Sequence, residues 1–219
     1  MVDTMQWVAK REFIALAILV TLLSLSSIFL TLSSTHDSDL KASPLSCFES
    51  ATATIRVTLD VACPSDLISL GSGVLSESAT AGSGVTEVHP LLIARFEAAK
   101  IAAKVEGVHL YITSGFRSVE RQQELFNAEI AKRGSETEAA KWVLPPQYSH
   151  HPRGLALDIN YPGDPAGAKW LELHGARFGL CRVYANEWWH FEGAIAPGQR
   201  CPTMAENALV DIPDSASIS

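Results

Sequence analysis

The stretch SHHPRGLALDIN, Ser149–Asn160, contains the most informative strand of the chain. In its second half, large apolar side chains alternate with small or polar ones, which is the period-two pattern of a β-strand. The apolar face, formed by Leu155, Leu157 and Ile159, is expected to lie against the core. Asp158 belongs to the other face, beside a small alanine that leaves space around its carboxylate.

Two adjacent histidines precede this strand. His151 lies seven positions before Asp158, an odd separation, so a continuous strand would place the two side chains on opposite faces. The Pro-Arg-Gly sequence that follows His151 can break the strand and let an imidazole turn back towards the carboxylate. Spacing alone does not decide between His150 and His151 as the partner of Asp158.

A second group of candidate residues lies in ANEWWHFEG, residues 185–193. Glu187 and His190 are three positions apart among aromatic residues that would exclude water. In a regular strand they would face opposite ways, so a bulge or a turn must reorient one of them. Two histidines and one aspartate with a fourth position open form the ligand set of a catalytic zinc site, and zinc lowers the pKa of its bound water to about 7. With Glu187 as a general base, this chemistry predicts a hydrolase.

The sequence around these groups mixes helices and strands without a regular βαβ repeat. HPLLIARFEAAKIAAKVEG, which starts at His89, has apolar residues at helical spacing and a proline in its first turn. VHLYIT predicts a strand, and further helices are expected to start at Ser118 and at Asp164-Pro165. LCRVY and WWHFE are expected to be short strands. The predicted fold class is therefore α+β.

An uncharged segment lies near the N-terminus. Residues 13–32, FIALAILVTLLSLSSIFLTL, would span roughly the 30 Å of a bilayer core as a helix. Lys10 and Arg11 precede it, so residues 1–12 are expected to be cytoplasmic and the remainder extracytoplasmic. A cleavable signal peptide is the alternative, but its apolar region is usually about 7–15 residues long and ends at a small-residue cleavage site. The prediction is a single-pass anchor in the cell membrane.

All four cysteines follow the predicted membrane segment. They are Cys47, Cys63, Cys181 and Cys201, and none belongs to a C-x-x-C pair. Export favours two disulfides over four free thiols. Three pairings are possible, and we expect the local one, because each pair then brackets one short segment.

The remaining segments suggest a boundary on each side of the main domain. Residues 33–87 combine a Ser/Thr-rich tether, the alternating segment ATATIRVTLDVA and a Gly/Ser-rich loop, and are expected to form an extracytoplasmic neck. The main domain is expected at residues 88–201. Residues 202–219 contain acids but no Lys or Arg, and are expected to be disordered. The net charge of -7 argues against a nucleic-acid partner.

Three ordered motifs resemble the zinc D-alanyl-D-alanine carboxypeptidases of the VanY type, whose relatives include L,D-carboxypeptidases and D-Ala-D-Ala dipeptidases. The motif S-x-H-x-x-G-x-A-x-D corresponds to Ser149–Asp158, and E-x-W-H corresponds to Glu187–His190. SGFRS, residues 114–118, is similar to the family's S-G-Y-R-S element. The resemblance covers about residues 88–195. It implies a short antiparallel sheet flanked by helices, as in hedgehog-like and DD-peptidase-like domains.

The resemblance also assigns roles to individual side chains. It implies three zinc ligands, which are His151, Asp158 and His190. It makes Glu187 the general base, and His150 a neighbour of the ligand at a position that is often Glu in relatives. It implies substrate contacts by Arg117, Gln122 and Ser149. A guanidinium at Arg117 suits this role, because it offers a planar, bidentate match to a terminal carboxylate.

The implied function is a membrane-tethered zinc carboxypeptidase that removes the terminal D-Ala of peptidoglycan stem peptides outside a bacterial membrane. An L,D-carboxypeptidase or a peptidoglycan endopeptidase is the alternative with the same chemistry. A catalytically silent wall-binding module is the alternative of another class. The approach LPPQYSHH differs from the Pro-Gly before S-E-H of many relatives. We expect this difference to affect substrate preference rather than metal binding.

Overall fold

The computed structural model of the protein describes residues 43–75 and 87–213. The predicted membrane anchor at residues 13–32 and residues 1–12, which are expected to be cytoplasmic, lie outside these ranges. Among the residues that are described, no helix has both the length and the apolar character needed to cross a membrane. The described part is a mixed α+β unit with two antiparallel sheets, in agreement with the predicted class.

The first sheet comes from the segment that was predicted to be a neck. Its strands are β1 (Leu45–Glu49), β2 (Thr54–Thr58) and β3 (Ile68–Gly71), in the order β2-β1-β3. Both strand pairs are antiparallel. A disulfide joins Cys47 in β1 to Cys63, and a second disulfide joins Cys181 to Cys201. The predicted local pairing of the cysteines is thus confirmed.

The second sheet carries the sequence motifs. Its strands are β4 (Ile112–Ser114), β5 (Ala156–Ile159), β6 (Cys181–Arg182) and β7 (His190–Glu192), in the antiparallel order β4-β5-β7-β6. All four residues of β5 are buried, but only Leu157 and Ile159 belong to the hydrophobic core cluster, as predicted for the apolar face of the strand. Asp158 instead contacts the polar side chains of Arg117 and His190.

The described residues include four α-helices beside the sheets. They are α1 (Pro90–Val105), α2 (Val119–Arg133), α3 (Glu136–Ala140) and α4 (Pro165–His174). Side-chain caps start them as predicted: the Ser118 hydroxyl accepts from the Arg121 N–H, and the Asp164 carboxylate accepts from the Ala166 N–H. Gly134 ends α2 with a φ of +88°, a conformation that favours glycine.

The main hydrophobic core contradicts the prediction of a separate neck. Phe48 of β1 and Leu70 of β3 are completely buried in the same cluster as Phe96 of α1 and Phe191 of β7. The assignment of residues 33–87 to a neck is therefore wrong for the strands between residues 45 and 71. These strands are too short to show a clear apolar period in the sequence, yet their apolar side chains complete the core of the domain that carries the motifs.

A buried arginine links the first sheet to the rest of the domain through hydrogen bonds. Arg95 of α1 has no exposed surface, and its guanidinium donates to the carbonyls of Leu70, Gly73, Gly179 and Ile195. Two of these carbonyls belong to the segment around β3, and two follow α4. One side chain thus joins three distant parts of the chain.

The C-terminal segment is ordered as far as the structure describes it. Ala205 forms a parallel bridge with Tyr184, and a 3-10 helix follows at Ala208–Asp211. Ala208 and Ile212 are buried in a second apolar cluster with side chains from α2 and α3. The prediction of disorder for residues 202–219 is therefore wrong for residues 202–213. Residues 214–219 lie outside the described ranges.

Candidate metal centre

Three elements bring His151, Asp158 and His190 together. Asp158 on β5 and His190 on β7 are direct register partners in the antiparallel ladder. His151 begins a 3-10 turn that ends at Gly154, whose φ is +70°. This turn breaks the strand as the Pro-Arg-Gly sequence predicted, because it returns the His151 side chain to the face that carries Asp158.

The three side chains offer their ligand atoms to a common point. Asp158 Oδ1 lies 3.4 Å from His151 Nε2 and 3.3 Å from His190 Nδ1. All three ligand atoms lie within 4.8 Å of one another, and all three residues are buried. The two imidazoles meet edge to face, with ring centroids 5.2 Å apart.

The hydrogen bonds of the other two ring nitrogens determine which histidine nitrogens can bind a metal. His151 Nδ1 lies 2.6 Å from the carbonyl oxygen of Gly115, and His190 Nε2 lies 2.9 Å from Glu192 Oε1. Both oxygens accept, so each of these two nitrogens carries a hydrogen. When both rings are neutral, as metal ligation requires, His151 Nε2 and His190 Nδ1 present lone pairs towards Asp158 Oδ1. Three acceptors that converge in a buried place call for a cation or for protons between them.

The charges within the cluster shift the pKa values of its members. Burial is the largest influence on His151 and lowers its pKa. Burial would raise the pKa of Asp158, but the contacts with His151 and His190 outweigh it and hold that pKa well below its usual value. Burial would also lower the pKa of His190, yet its hydrogen bonds to Asp158 and Glu192 raise it to about 10. The aspartate therefore remains an anion that attracts positive charge.

Glu187 lies in a turn beside this cluster. The His190 N–H donates to the Glu187 carbonyl at 3.3 Å, which closes a turn between them and brings both side chains to one side of the chain. A turn therefore provides the reorientation that the three-residue spacing required. Glu187 Oε2 lies 3.9 Å from His190 Nδ1. Burial, opposed by the His190 charge and reinforced by Asp158, raises the pKa of Glu187 from 4.5 to about 7.

Arg117 holds the outer oxygen of the aspartate. Its Nη2 donates to Asp158 Oδ2, while Nε donates to Ser114 Oγ at 2.9 Å and Nη1 donates to Gln122 Oε1 at 3.2 Å. Gln122 is itself fixed, because its amide donates to the Leu144 carbonyl at 2.8 Å. Asp158 consequently keeps Oδ1 directed towards the two imidazoles.

All seven predicted site residues line one open cleft of about 420 Å³. They are Arg117, Gln122, Ser149, His151, Asp158, Glu187 and His190. Trp189 and Tyr161, whose ring centroids lie 4.2 Å apart, also line the cleft, as does Ala208 of the C-terminal segment. Residues as far apart in the sequence as positions 117 and 190 therefore line the same cleft.

Glu192 and Asp211 were not identified from the sequence as residues of the site. Glu192 contacts both His190 and His150, and Tyr184 packs its ring 5.1 Å from that of His190. The Tyr184 hydroxyl donates to Asp211 in the C-terminal segment. The pair of adjacent histidines in the sequence had indicated His150 as a candidate, whereas no local pattern distinguished Glu192 or Asp211.

Family comparison explains why these motifs occur in this order. Residues 86–193 match the family model described as VanY, D-alanyl-D-alanine carboxypeptidase. These residues form a VanY-family domain. The matched range contains all seven predicted site residues of the cleft, whereas the first sheet and the C-terminal segment flank it.

Curated relatives of the VanY-family domain include a carboxypeptidase and an endopeptidase. A D-alanyl-D-alanine carboxypeptidase of Enterococcus faecalis is 34% identical over 112 residues, which cover 41% of this chain and 42% of that protein. The peptidoglycan L-alanyl-D-glutamate endopeptidase CwlK of Bacillus subtilis is 28% identical over 121 residues, which cover 49% of this chain and 70% of that protein. The match therefore spans less than half the length of the Enterococcus relative.

Solved structures similar to the VanY-family domain include VanYB in complex with D-alanine-D-alanine. That match has 26% identity and a TM-score of 0.47, and covers 52% of this chain and 79% of the other. Another is a mutant of the vancomycin resistance D,D-pentapeptidase VanY in complex with Zn(II). It has 28% identity and a TM-score of 0.44, and covers 48% of this chain and 71% of the other.

Proposed function

We propose that this protein is a zinc-dependent D-alanyl-D-alanine carboxypeptidase that removes the terminal D-Ala of peptidoglycan stem peptides. The observation that carries the proposal is the convergence of three buried acceptor atoms beside Glu187, at the base of a cleft. The match of residues 86–193 to the D-alanyl-D-alanine carboxypeptidase family supports the choice of reaction.

The donor set suits zinc in both chemistry and spacing. Two imidazole nitrogens and one carboxylate oxygen are three ligands of the kind found in catalytic zinc sites, which keep a fourth position open. Ligands about 2.0–2.1 Å from a tetrahedral zinc lie about 3.3–3.4 Å apart. The separations of Asp158 Oδ1 from His151 Nε2 and His190 Nδ1, 3.4 and 3.3 Å, agree with this edge length. When bound, zinc would polarise the scissile carbonyl and acidify the attacking water.

Glu187 supplies the general base of the proposed reaction. Its carboxylate reaches the ligand cluster without being one of the three ligands, and burial raises its pKa to about 7. A base with a pKa near the working pH accepts a proton from water efficiently and can return it to the leaving amine.

Arg117 binds the terminal carboxylate of the peptide in this proposal. The bonds to Ser114, Gln122 and Asp158 account for three of the five N–H groups of a guanidinium among the described residues. Two N–H groups remain for a ligand, enough for one bidentate carboxylate. The same contacts fix the guanidinium in place before substrate binds, which lowers the entropic cost of recognition.

The proposed location is outside the cytoplasmic membrane, with residues 13–32 as a single anchor. Two disulfides support an oxidising compartment, because such bonds are rare in the cytosol of mesophiles. Peptidoglycan lies next to the membrane on that side, so a tethered enzyme would remain close to its substrate.

Defined peptides test the reaction directly. The zinc-loaded full chain is incubated with a stem pentapeptide that ends in D-Ala-D-Ala and with the corresponding tetrapeptide, and the products are identified by mass spectrometry. We expect loss of one D-Ala from the pentapeptide. Loss of D-Ala from the tetrapeptide alone would indicate an L,D-carboxypeptidase, and cleavage of the L-Ala–D-Glu bond an endopeptidase.

The base is tested separately in the same assay. We expect Glu187→Gln to lower the rate by about 100-fold or more, with zinc still bound. Glu136→Gln, at an exposed position in α3, is the matched control and should keep the wild-type rate. An absence of cleavage by the zinc-loaded wild-type chain would contradict the proposal and favour a silent wall-binding module.

A further inference from the structure

Glu192 accepts from two histidines with one oxygen. It lies two positions after His190 on β7, so both side chains extend from the same face of the sheet. Glu192 Oε1 is 2.9 Å from His190 Nε2 and 2.7 Å from His150 Nδ1. The residue is only 9% exposed, so these contacts replace most of the water around its carboxylate.

The contact with Glu192 selects the ring nitrogen that His190 presents to the metal centre. A carboxylate oxygen is an acceptor, so the nitrogen facing Glu192 carries a hydrogen, and in the neutral ring that binds a metal the lone pair is on the other nitrogen. That second nitrogen is Nδ1, the atom 3.3 Å from Asp158 Oδ1. Glu192 thereby sets both the tautomer and the ring orientation of His190.

His150 completes this arrangement from the neighbouring turn. A carboxylate buried with too few donors is costly, and His150 supplies the second donor to Glu192. The histidine keeps 27% of its side chain exposed, at a position between the cleft and a second cavity of about 470 Å³. It therefore reaches Glu192 from outside the cluster, while its sequence neighbour His151 faces inward.

We propose that His150 and Glu192 are positioning residues of the metal centre, in which His150 holds Glu192 and Glu192 holds His190 in its ligating orientation. The two adjacent histidines then have different roles: His151 is a metal ligand, and His150 positions Glu192. The arrangement also joins the turn that carries His151 to the strand that carries His190. This inference rests on the metal-binding part of the proposed function.

Zinc affinity of the full chain tests the proposal without reference to hydrolysis. Dissociation constants are measured by competition with a chelator at one fixed pH. We expect Glu192→Gln, which keeps the side-chain shape, to weaken zinc binding about 10–100-fold, the usual effect of losing the partner of a ligating histidine. Glu106→Gln is the matched control, because Glu106 also accepts from a ring N–H, that of Trp170, and neither residue lines the cleft.

His150 variants test whether this residue acts through Glu192. We expect His150→Ala to weaken zinc binding several-fold, about fivefold by analogy with partial loss of such a contact. His150→Asn keeps an N–H near the position of Nδ1 and should restore most of the affinity. In a Glu192→Gln background, His150→Ala should have no further effect, because residues that act in series are not additive.

The outcomes separate this proposal from the proposed function. Wild-type zinc affinity in the Glu192→Gln variant would overturn it, as would an equal loss on His150→Ala in both backgrounds. The absorption spectrum of the cobalt-substituted chain gives a second readout, and it should change in the Glu192→Gln variant if His190 is reoriented. A wild-type chain that binds no zinc would overturn the proposed function together with this inference.

Discussion

Asp158 and His190 are paired residues on adjacent antiparallel strands, and their Oδ1 and Nδ1 atoms lie 3.3 Å apart. The backbone ladder sets this separation, because directly opposed side chains on neighbouring strands lie close together. Arg117 holds the second carboxylate oxygen, and Glu192 holds the second ring nitrogen. The backbone ladder and these two contacts therefore set the positions of the Asp158 and His190 ligand atoms.

The charge of Asp158 is expected to dominate metal affinity. Asp158→Asn keeps the side-chain size but removes the anion that attracts a cation, so we expect at least about 100-fold weaker zinc binding. Chelator competition measures the change. Asp164→Asn is the matched control, because asparagine caps a helix as well as aspartate. An Asp158→Asn variant with wild-type zinc affinity would show that the ligand set is misassigned.

The pH dependence of hydrolysis is expected to report Glu187. Its carboxylate must be deprotonated to accept a proton, so kcat/KM should fall as the pH falls through its pKa. Burial raises this pKa from 4.5 to about 7, and a bound cation would lower it again. We therefore expect an acid limb with its midpoint between 4.5 and 7, measured in excess zinc. A flat profile across this interval would argue against Glu187 as the base.

The C-terminal segment is expected to support catalysis although it lies beyond the family match. Ala208 lines the cleft, and Asp211 accepts from Tyr184, whose ring packs against His190. Removal of residues 204–219 should lower kcat/KM about tenfold or more, because this wall of the cleft and the Tyr184 contact are lost.

A shorter truncation controls for chain length. Removal of residues 214–219 alone keeps Ala208 and Asp211, and should leave kcat/KM within twofold of the full chain. Equal activity of both truncated chains would show that the C-terminal segment has no part in the site. Asp211→Asn tests the Tyr184 contact by itself in the same assay.

Arg95 is expected to matter for stability rather than for chemistry. Arg95→Met fills a similar volume but leaves four buried carbonyls without their donor, so we expect a loss of about 2–4 kcal/mol in the free energy of unfolding. Lys100→Met, on the exposed side of the same helix, is the matched control. Urea unfolding measures both variants, and equal stability would contradict the role of Arg95 in joining the first sheet to the domain.

Local patterns were sufficient to predict the elements that carry the site. The alternation in β5 placed Leu157 and Ile159 in the core and Asp158 on the other face, as the structure has them. The Pro-Arg-Gly sequence predicted the turn that returns His151 to that face. In both cases the deciding interactions lie within a few residues, where side-chain period and turn chemistry act.

Other features depend on contacts that no local pattern reveals. β1 has only five residues, and its burial results from packing of Phe48 against elements that follow much later in the chain. The C-terminal segment has little apolar periodicity, yet the disulfide at Cys201 and the buried Ala208 and Ile212 order it. Glu192 looks like an ordinary strand residue, and only the fold places it between two histidines.

Zinc content is the most direct test of the account. The full chain is loaded with zinc, dialysed, and analysed for metal per mole of protein, alongside His151→Ala, His190→Ala and the exposed control His109→Ala. We expect one zinc per chain in the wild type and in the control, and far less than one in the other two variants. A wild-type chain without zinc, or full occupancy after loss of His151 or His190, would contradict the assignment of these histidines as zinc ligands.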